Sequence, residues 1–497
     1  MLILTTINAR YIHTAFGLRY LYANMGNLQA DTLLLEFGLQ QKPADIVEEL
    51  LKHQPKIIGF GVYIWNVLEI GAVLAILKQV APEVCLVLGG PEVSFPLDLP
   101  PAAADADYII GGPGEISFPA LCGQILAGQK PTEKFIHART APLAELCLPY
   151  AFYSDIDIRQ RIVYVEASRG CPFKCEFCLS ALDTTAKPFA LTEFLSAMAL
   201  LYQRGARHFK FIDRTFNLKI DTSIAILEFF LARLGDELYL HFEVIPDNLP
   251  ERLKTVIAQF PPGVLQFEIG VQTFNVAVQH LINRKQDNQK TQLNLQWLRQ
   301  NTHTHIHADL IAGLPGDSLA DFSVSFDTLV RLNPQEIQLG ILKRLRGAPI
   351  NRLTEAYQMR YDPHPPYSIL STRDMDFNTL QRLQRFSRYW DLIGNSGRFA
   401  VSLPLILADS PFARFMQLSD SLYAILGSTW QIALKRLMEN LYRAMTESLL
   451  IPQDTAMLVL SEDFLSSGEK GHLLLAGSDE EGSSRKVIAN KRQRQRL

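Results

Sequence analysis

Short apolar runs alternate with helix-length segments from the first residue to about residue 343, and no other feature restricts the fold of this 497-residue chain as tightly. Residues 1–6, 31–37, 56–62, 84–88 and 107–110 have the length and composition of buried strands. Helical segments fall between them at 14–25, 43–54 and 67–80. Pro43 suits the first turn of its helix, and Pro82 stops the next one. This repetition predicts a doubly wound α/β domain built on a parallel sheet. Residues 138–158 are punctuated by prolines and predict a linker. A second series follows, with strands at 161–168, 206–213, 238–245, 264–272, 303–310 and 336–343 and a helix in each interval. Beyond it the pattern is helical only, at 379–390, 411–426 and 431–449. The expected boundaries are 1–135, 136–158, 159–346, 347–484 and a basic, solvated tail at 485–497.

Three of the six cysteines share one loop after the strand at 161–168: Glu166-Ala-Ser-Arg-Gly-Cys171-Pro-Phe-Lys-Cys175-Glu-Phe177-Cys178. The loop leaves the carboxyl end of a strand, where α/β folds place their chemistry. Thiolates are the ligands of iron–sulfur clusters, and three of them on a cubane leave its fourth iron open to a small molecule. Zinc in a structural site wants four ligands, often as paired Cys-x2-Cys or Cys/His hairpins. No second pair follows here. Cys85, Cys122 and Cys147 are scattered singly and read as small apolar residues.

This motif resembles that of the radical S-adenosylmethionine (SAM) superfamily, including the aromatic Phe177 before the last cysteine. The resemblance implies a partial (β/α)6 barrel over residues 159–346. It also implies a 4Fe-4S cluster on Cys171, Cys175 and Cys178, and SAM held at the open iron and cleaved by one electron to a 5′-deoxyadenosyl radical. Candidate SAM contacts, besides Phe177, are polar residues near strand ends. Asp213 stands where the family binds the methionine ammonium, although the usual Gly-Gly-Glu is absent. Glu243 ends the third strand. Glu268 and Gln272 flank Gly270 in a segment resembling the family's fourth strand. His303, His305 and His307 alternate as residues on one strand face do, but at the strand's start, away from the active end.

In the first domain glycines cluster after the fourth and fifth strands, where the backbone can approach a ligand closely. No Gly-x-Gly-x-x-Gly opens the first helix, which counts against a dinucleotide site. The segments Gly59-Phe-Gly-Val-Tyr63-Ile-Trp65, Gly89-Gly90-Pro91-Glu92 and Gly111-Gly112-Pro113-Gly114-Glu115 resemble the flavodoxin-like cobalamin-binding domain that precedes many radical SAM barrels. The resemblance implies contacts to cobalamin from Tyr11, His13, Tyr63, Trp65, Gly89, Gly90, Glu92, Gly112, Gly114 and Glu115. Cobalamin mutases carry Asp-x-His-x-x-Gly after the first strand. Here Tyr11 replaces the Asp and the glycine comes one residue late, so a lower cobalt face without a protein ligand is expected. The region beyond 346 resembles the C-terminal extension of a poorly characterised subgroup of such proteins, positioned to cap the barrel and take part in substrate choice.

The family implies a cobalamin-dependent methyltransferase, with an electron donor such as flavodoxin or ferredoxin and a small-molecule or peptide substrate. A net charge of -3 gives no global attraction to nucleic acid or membrane. No apolar run approaches the ~18 residues of a membrane span, and a cytoplasmic protein is expected. Two other readings are a tRNA-modifying methylthiotransferase and a non-catalytic cobalamin or redox sensor. The first needs three N-terminal cysteines for a second cluster, and only Cys85 and Cys122 precede residue 135.

Overall fold

The first strand, β1 (Leu2–Asn8), is buried along its whole length, as an interior strand of a parallel sheet must be. The computed structural model, which describes residues 1–235 and 237–468, places it beside β2 (Thr32–Gly38) on one side and β3 (Ile57–Gly61) on the other. The sheet continues through β4 (Cys85–Gly89), β5 (Tyr108–Gly111) and β6 (Phe135–His137), all parallel, in the order β2-β1-β3-β4-β5-β6. β6 is a three-residue strand, too short for an apolar pattern to announce it. Helices cover both faces. α2 (Pro43–Leu51) and α3 (Val67–Val80) bury Ile46, Leu50, Ile70 and Leu74 with Ile3 and Ile58 on one side. α1 (Phe16–Ala23) and α4 (Ser117–Leu126) bury Leu18, Phe118 and Leu121 with Leu4 and Ile57 on the other. The order reverses between β1 and β3, so the loops leaving these two strands part and open a crevice at the carboxyl edge.

The segment expected as a linker contains a helix, α5 (Asp155–Gln160), opened by a capping box between Ser154 and Asp157. It is tied to the first domain by four charges. Arg19 reaches Glu36 at 2.7 Å and Asp157 at 2.8 Å, while Arg161 reaches Glu36 at 2.9 Å and Asp157 at 2.8 Å. Two cations balance two anions, which is what buried charge requires. Burial opposes ionisation of Asp157, but Arg19 and Arg161 hold its carboxyl down at about 2.

The chain divides into two compact units: residues 1–266 with 343–352 and 362–368, and the remaining described residues. The first unit goes on from α5 to β7 (Val163–Val165), the short antiparallel pair β8 (Ser168–Arg169) and β9 (Lys187–Pro188), α6 (Leu191–Gln203), β10 (His208–Phe211), α7 (Ile220–Leu231), β11 (Tyr239–Val244) and α8 (Glu251–Ile257). β7, β10 and β11 are parallel neighbours. Phe209, Phe211, Phe230 and Phe242 interlock beneath them with ring centroids 4.4–6.3 Å apart.

The second unit contains β12 (Leu265–Gln272), α9 (Val276–Leu281), α10 (Asn288–Asn301), β13 (His305–Ala312), α11 (Leu319–Leu332), β14 (Glu336–Ile341), the small pair β15 (Arg360–Tyr361) and β16 (Ile369–Ser371), and five helices: α12 (Phe377–Ile393), α13 (Ser402–Leu407), α14 (Pro411–Leu426), α15 (Leu434–Arg443) and α16 (Gln453–Ser467). β13 pairs in parallel with β14. On the other side of β14, the Asn395 side chain donates to Ile337 O and accepts from Ile337 N, both at 2.9 Å, closing a strand edge that would otherwise expose backbone groups. Phe326 of α11 packs on Phe386 and Trp390 of α12 and Phe412 of α14. The C-terminal helices therefore share a core with the last strand–helix unit. His303 lies before β13, so the alternating histidine series does not lie on one strand. His305 sits 3.2 Å from Glu336 instead. The basic tail at 485–497 lies outside the described residues.

Candidate active site

Cys171 and Cys175 are buried and Cys178 half-buried, and none of the three is in a disulfide. The loop that bears them is fixed by backbone geometry. Gly170 has φ +86°, a left-handed conformation that L side chains rarely adopt. A Cβ there would fall 1.7 Å from Thr185 O. The β8–β9 pair closes the base of the loop, Cys171 N donates to Asp183 O at 3.0 Å, and Cys178 N donates to Cys175 O at 3.0 Å. Thr215 Oγ1 lies 3.7 Å from Cys171 Sγ, within reach of a weak hydrogen bond to sulfur. Among the described residues no three Cys, His, Asp or Glu side chains gather tightly enough for a single ion. Thiolates that serve separate irons of a cubane stand further apart than ligands of one metal, whose Zn–S bonds are ~2.3 Å.

Asp213 is only 2 % exposed, and both its oxygens are engaged. Oδ2 accepts from Ala167 N at 2.9 Å and Oδ1 from Ser168 Oγ at 2.6 Å. Burial pushes this carboxyl up to about 7, against the pull of these two donors. The sequence suggested a ligand for the SAM ammonium. The structure gives Asp213 to the chain between β7 and β8, which it pins from the end of β10. Glu243, half-buried at the end of β11, lies 3.3 Å from Arg214. Phe177 is half-buried within the cysteine loop. In the second unit, Glu268 and Gln272 are half-buried on β12. Gln272 has φ +71°, and its Oε1 is buried with no hydrogen-bond partner. Strained backbone and an orphaned polar atom at a strand end commonly mark a ligand site.

Two cavities open at the carboxyl edge of the first unit. The smaller, about 190 Å³, is lined by Gly17, Gly59, Gly61, Gly89, Gly90, Gly112 and Gly114 together with Leu4, Val87, Ile110 and Phe118. The larger, about 620 Å³, is bounded by Asn8, His13, Tyr20, Tyr63, Trp65 and Glu115 from the first domain and by Tyr164, Glu166, Arg169 and Ile212 from the strands that follow. Tyr63 and Glu115 border both. Tyr63 and Trp65 stack at 4.4 Å with their planes 4° apart, and Trp65 Nε1 donates to Ile7 O at 3.2 Å. His13 Nδ1 lies 2.7 Å from Tyr164 Oη. Burial, with Lys210, Arg10 and Arg161 nearby, lowers the His13 pKa and favours the neutral ring.

Of the residues expected around cobalamin, Tyr11 and Glu92 line neither cavity. Tyr11 is exposed, its hydroxyl donating to Gln160. Glu92 is buried because Arg346 Nε and Tyr367 Oη both donate to its Oε1 at 2.8 Å. Its partners lie more than 250 positions away, so no local pattern marks it as an ion-pair member. The sequence reading also passed over Glu166 and Arg169, although both stand in the cysteine motif. Arg169 Nη1 donates to Glu115 Oε1 at 2.7 Å and Nη2 to Glu166 at 2.8 Å, while its guanidinium lies 4.5 Å from the centre of the Tyr20 ring. Burial raises the Glu166 pKa, and Arg169 opposes the rise.

Three family models match the chain: a B12 binding domain over residues 3–122, the Radical SAM superfamily over 165–329, and a protein of unknown function, DUF4080, over 355–496. An uncharacterized methyltransferase of Pyrococcus horikoshii is 26% identical over 238 residues, which is 42% of this chain and 51% of that protein. The cobalamin-dependent radical SAM methyltransferase TokK of Streptomyces tokunonensis is 24% identical over 353 residues, 63% of this chain and 51% of that one. The chain thus spans about half the length of these curated relatives. Among solved structures, the radical SAM methyltransferase TsrM of Kitasatospora setae superposes with a TM-score of 0.57 at 15% identity, covering 73% of this chain and 79% of that one, and so shares its fold. That enzyme has also been seen with cobalamin and a [4Fe-4S] cluster bound. The chain thus carries a radical SAM domain, preceded by a B12-binding domain and followed by a DUF4080 region.

Proposed function

We propose that this protein is a cobalamin-dependent radical SAM methyltransferase acting on an unactivated carbon of a small-molecule or peptide substrate. The observation that carries this reading is one compact unit holding three reduced cysteines on a strand-end loop beside a glycine-lined crevice. The thiols of Cys171, Cys175 and Cys178 match the donor set of a 4Fe-4S cluster. Missing side chains at Gly59, Gly61, Gly89 and Gly90 leave a narrow apolar slot that suits the nucleotide tail of cobalamin. The larger cavity, with the stacked Tyr63–Trp65 pair on its wall, suits the corrin. Bound there, the cluster and SAM supply one-electron chemistry and cobalamin supplies a methyl carrier.

The chain's own residues hold these groups in place and keep water away. Asp213 and Ser168 fix the entry to the cysteine loop. Phe177 and Glu243 of the first unit are proposed to contact SAM; in the second unit, Gln272, with its buried Oε1 free to accept from a ligand hydroxyl or ammonium, and Glu268 are candidate ligand contacts. His13, held at Nδ1 by Tyr164 and kept neutral on the wall of the larger cavity, would contact cobalamin there. Tyr63, Trp65, Gly89, Gly90, Gly112, Gly114 and Glu115 complete the cobalamin contacts. An external one-electron donor of the flavodoxin or ferredoxin class completes the system.

The test is anaerobic reconstitution with iron, sulfide and hydroxocobalamin, followed by dithionite and SAM and mass spectrometry of the products. Wild-type protein is expected to release 5′-deoxyadenosine and to carry a cobalamin spectrum. The variant with Cys171→Ala, Cys175→Ala and Cys178→Ala is expected to lose its iron and all deoxyadenosine formation while still showing a cobalamin spectrum at saturating hydroxocobalamin. Wild-type protein that carries a full cluster yet cleaves no SAM would sink the enzymatic reading in favour of a sensor.

A further inference from the structure

The cluster loop is tied to the glycine loops of the first domain on both sides, directly through Arg169 and indirectly through a strap that carries Arg346 and Arg352. Arg169 stands two residues before Cys171 and donates to Glu115, the last residue of the Gly111–Glu115 loop that borders both cavities. Glu176 lies between Cys175 and Cys178. Its carbonyl accepts from Ile350 N at 2.8 Å, and its carboxylate takes Nε and Nη2 of Arg352, each at 3.0 Å. Six residues earlier on the same strap, Arg346 donates to Glu92 at 2.8 Å and to Tyr367 Oη at 3.0 Å. Asp98 takes Arg344 at 2.7 Å and Arg346 at 2.5 Å. Glu92 directly follows Gly90-Pro91. One end of segment 344–352 therefore rests on the cysteine loop and the other on a loop of the corrin crevice.

We propose that Arg169 and this strap make occupancy of the two cofactor sites mutually reinforcing. The inference rests on the proposed function and goes beyond it. Ligation by three thiolates fixes the backbone on either side of Gly170 and around Glu176. A fixed Arg169 then holds Glu115 and its loop in the form that receives cobalamin, and a fixed Glu176 holds Arg352 and, through the strap, Arg346 and Glu92. Without the cluster, cobalamin binding alone must order these loops. Linkage makes the effect equal in both directions, so bound cobalamin also tightens the hold on iron. Arg169, Arg346 and Arg352 are positioning residues: none is a cluster ligand.

The experiment uses the full chain under anaerobic conditions in two forms, stripped of iron by a chelator or reconstituted with iron and sulfide. Hydroxocobalamin is titrated into each and followed by absorbance. The reconstituted wild type is expected to bind at least about fivefold more tightly than the stripped form. Arg169→Gln is expected to bring that ratio to within about twofold of one. Arg352→Gln replaces a side chain that is 60 % exposed and outside both cavities, so folding is retained. It is expected to lower the ratio part of the way and to leave the stripped form's affinity near wild type. A role confined to folding would weaken both forms alike and leave the ratio untouched. A ratio of one in the wild type overturns the proposal, and so does a wild-type ratio in Arg169→Gln. Failure of both forms to bind hydroxocobalamin instead overturns the proposed function, and this inference with it.

Discussion

Gly170→Ala is expected to strip the protein of its cluster while leaving both units folded. The added Cβ would sit 1.7 Å from Thr185 O and 2.8 Å from Thr185 C, both backbone atoms that cannot swing aside. The residue also has φ +86°, where alanine is strained on its own account. Relief requires opening the β8–β9 pair and the contact from Cys171 N to Asp183 O, the two features that aim the first thiol. Displaced supports of metal ligands typically cost 10–100-fold in affinity, so iron retained after reconstitution and desalting should fall by about tenfold or more. Iron content and cluster absorbance measure it, and a circular dichroism melt reports whether the fold persists. An alanine variant that holds iron as the wild type does would show that the loop can take another shape.

Asp317→Asn is expected to stabilise the protein at neutral and alkaline pH and to do little in acid. Asp317 follows Gly316 just beyond β13 in the second unit, is 0 % exposed, and neither carboxyl oxygen has a hydrogen-bond partner. Burial first, then the nearby Asp321 and Asp374 carboxylates, push its pKa up to about 8. An unfolded aspartate titrates near 3.9, so between about pH 4 and pH 8 the folded chain binds a proton that the unfolded chain does not. Stability contributed by this site is therefore complete in acid and falls by about 1.4 kcal/mol per pH unit as pH rises towards 8. At pH 7 the burden approaches about 4 kcal/mol, less whatever water relieves it. Asparagine has a similar shape and no proton to take up. Its melting temperature should exceed the wild type's by several degrees at pH 8, with the gap nearly closed at pH 5. Equal gaps at the two pH values would mean that Asp317 is ionised in the folded state.

Most of the architecture was legible because its causes are local. Strand and helix periods show within a few residues, and α14 begins and ends where the pattern at 411–426 places it. The cysteine spacing is carried by eight consecutive residues. The glycines within β3 and after β4 and β5 mark the crevice, since glycine is what a close backbone approach demands. Some features escaped for equally physical reasons. β6 has three residues, and a parallel strand that short is defined by its neighbour β5 and not by its own pattern. The capping box of α5 uses aspartate where glutamate or glutamine is usual, inside a segment whose prolines argued for a linker.

What the sequence by itself determined is which residues can do chemistry and on which elements they ride. Cys171, Cys175 and Cys178 fall on a strand-end loop, and glycines edge the crevice. What only the tertiary structure decided is which charge meets which. Glu92 looked like a cobalamin contact and is spoken for by Arg346, 254 positions away. Asp213 looked like a SAM contact and instead binds Ala167 and Ser168. Arg169 had no assigned partner in the sequence and spans to Glu115. Backbone periodicity is written residue by residue. A salt bridge depends on where two distant side chains come to rest, and that position exists only once the strands have paired and the core has closed.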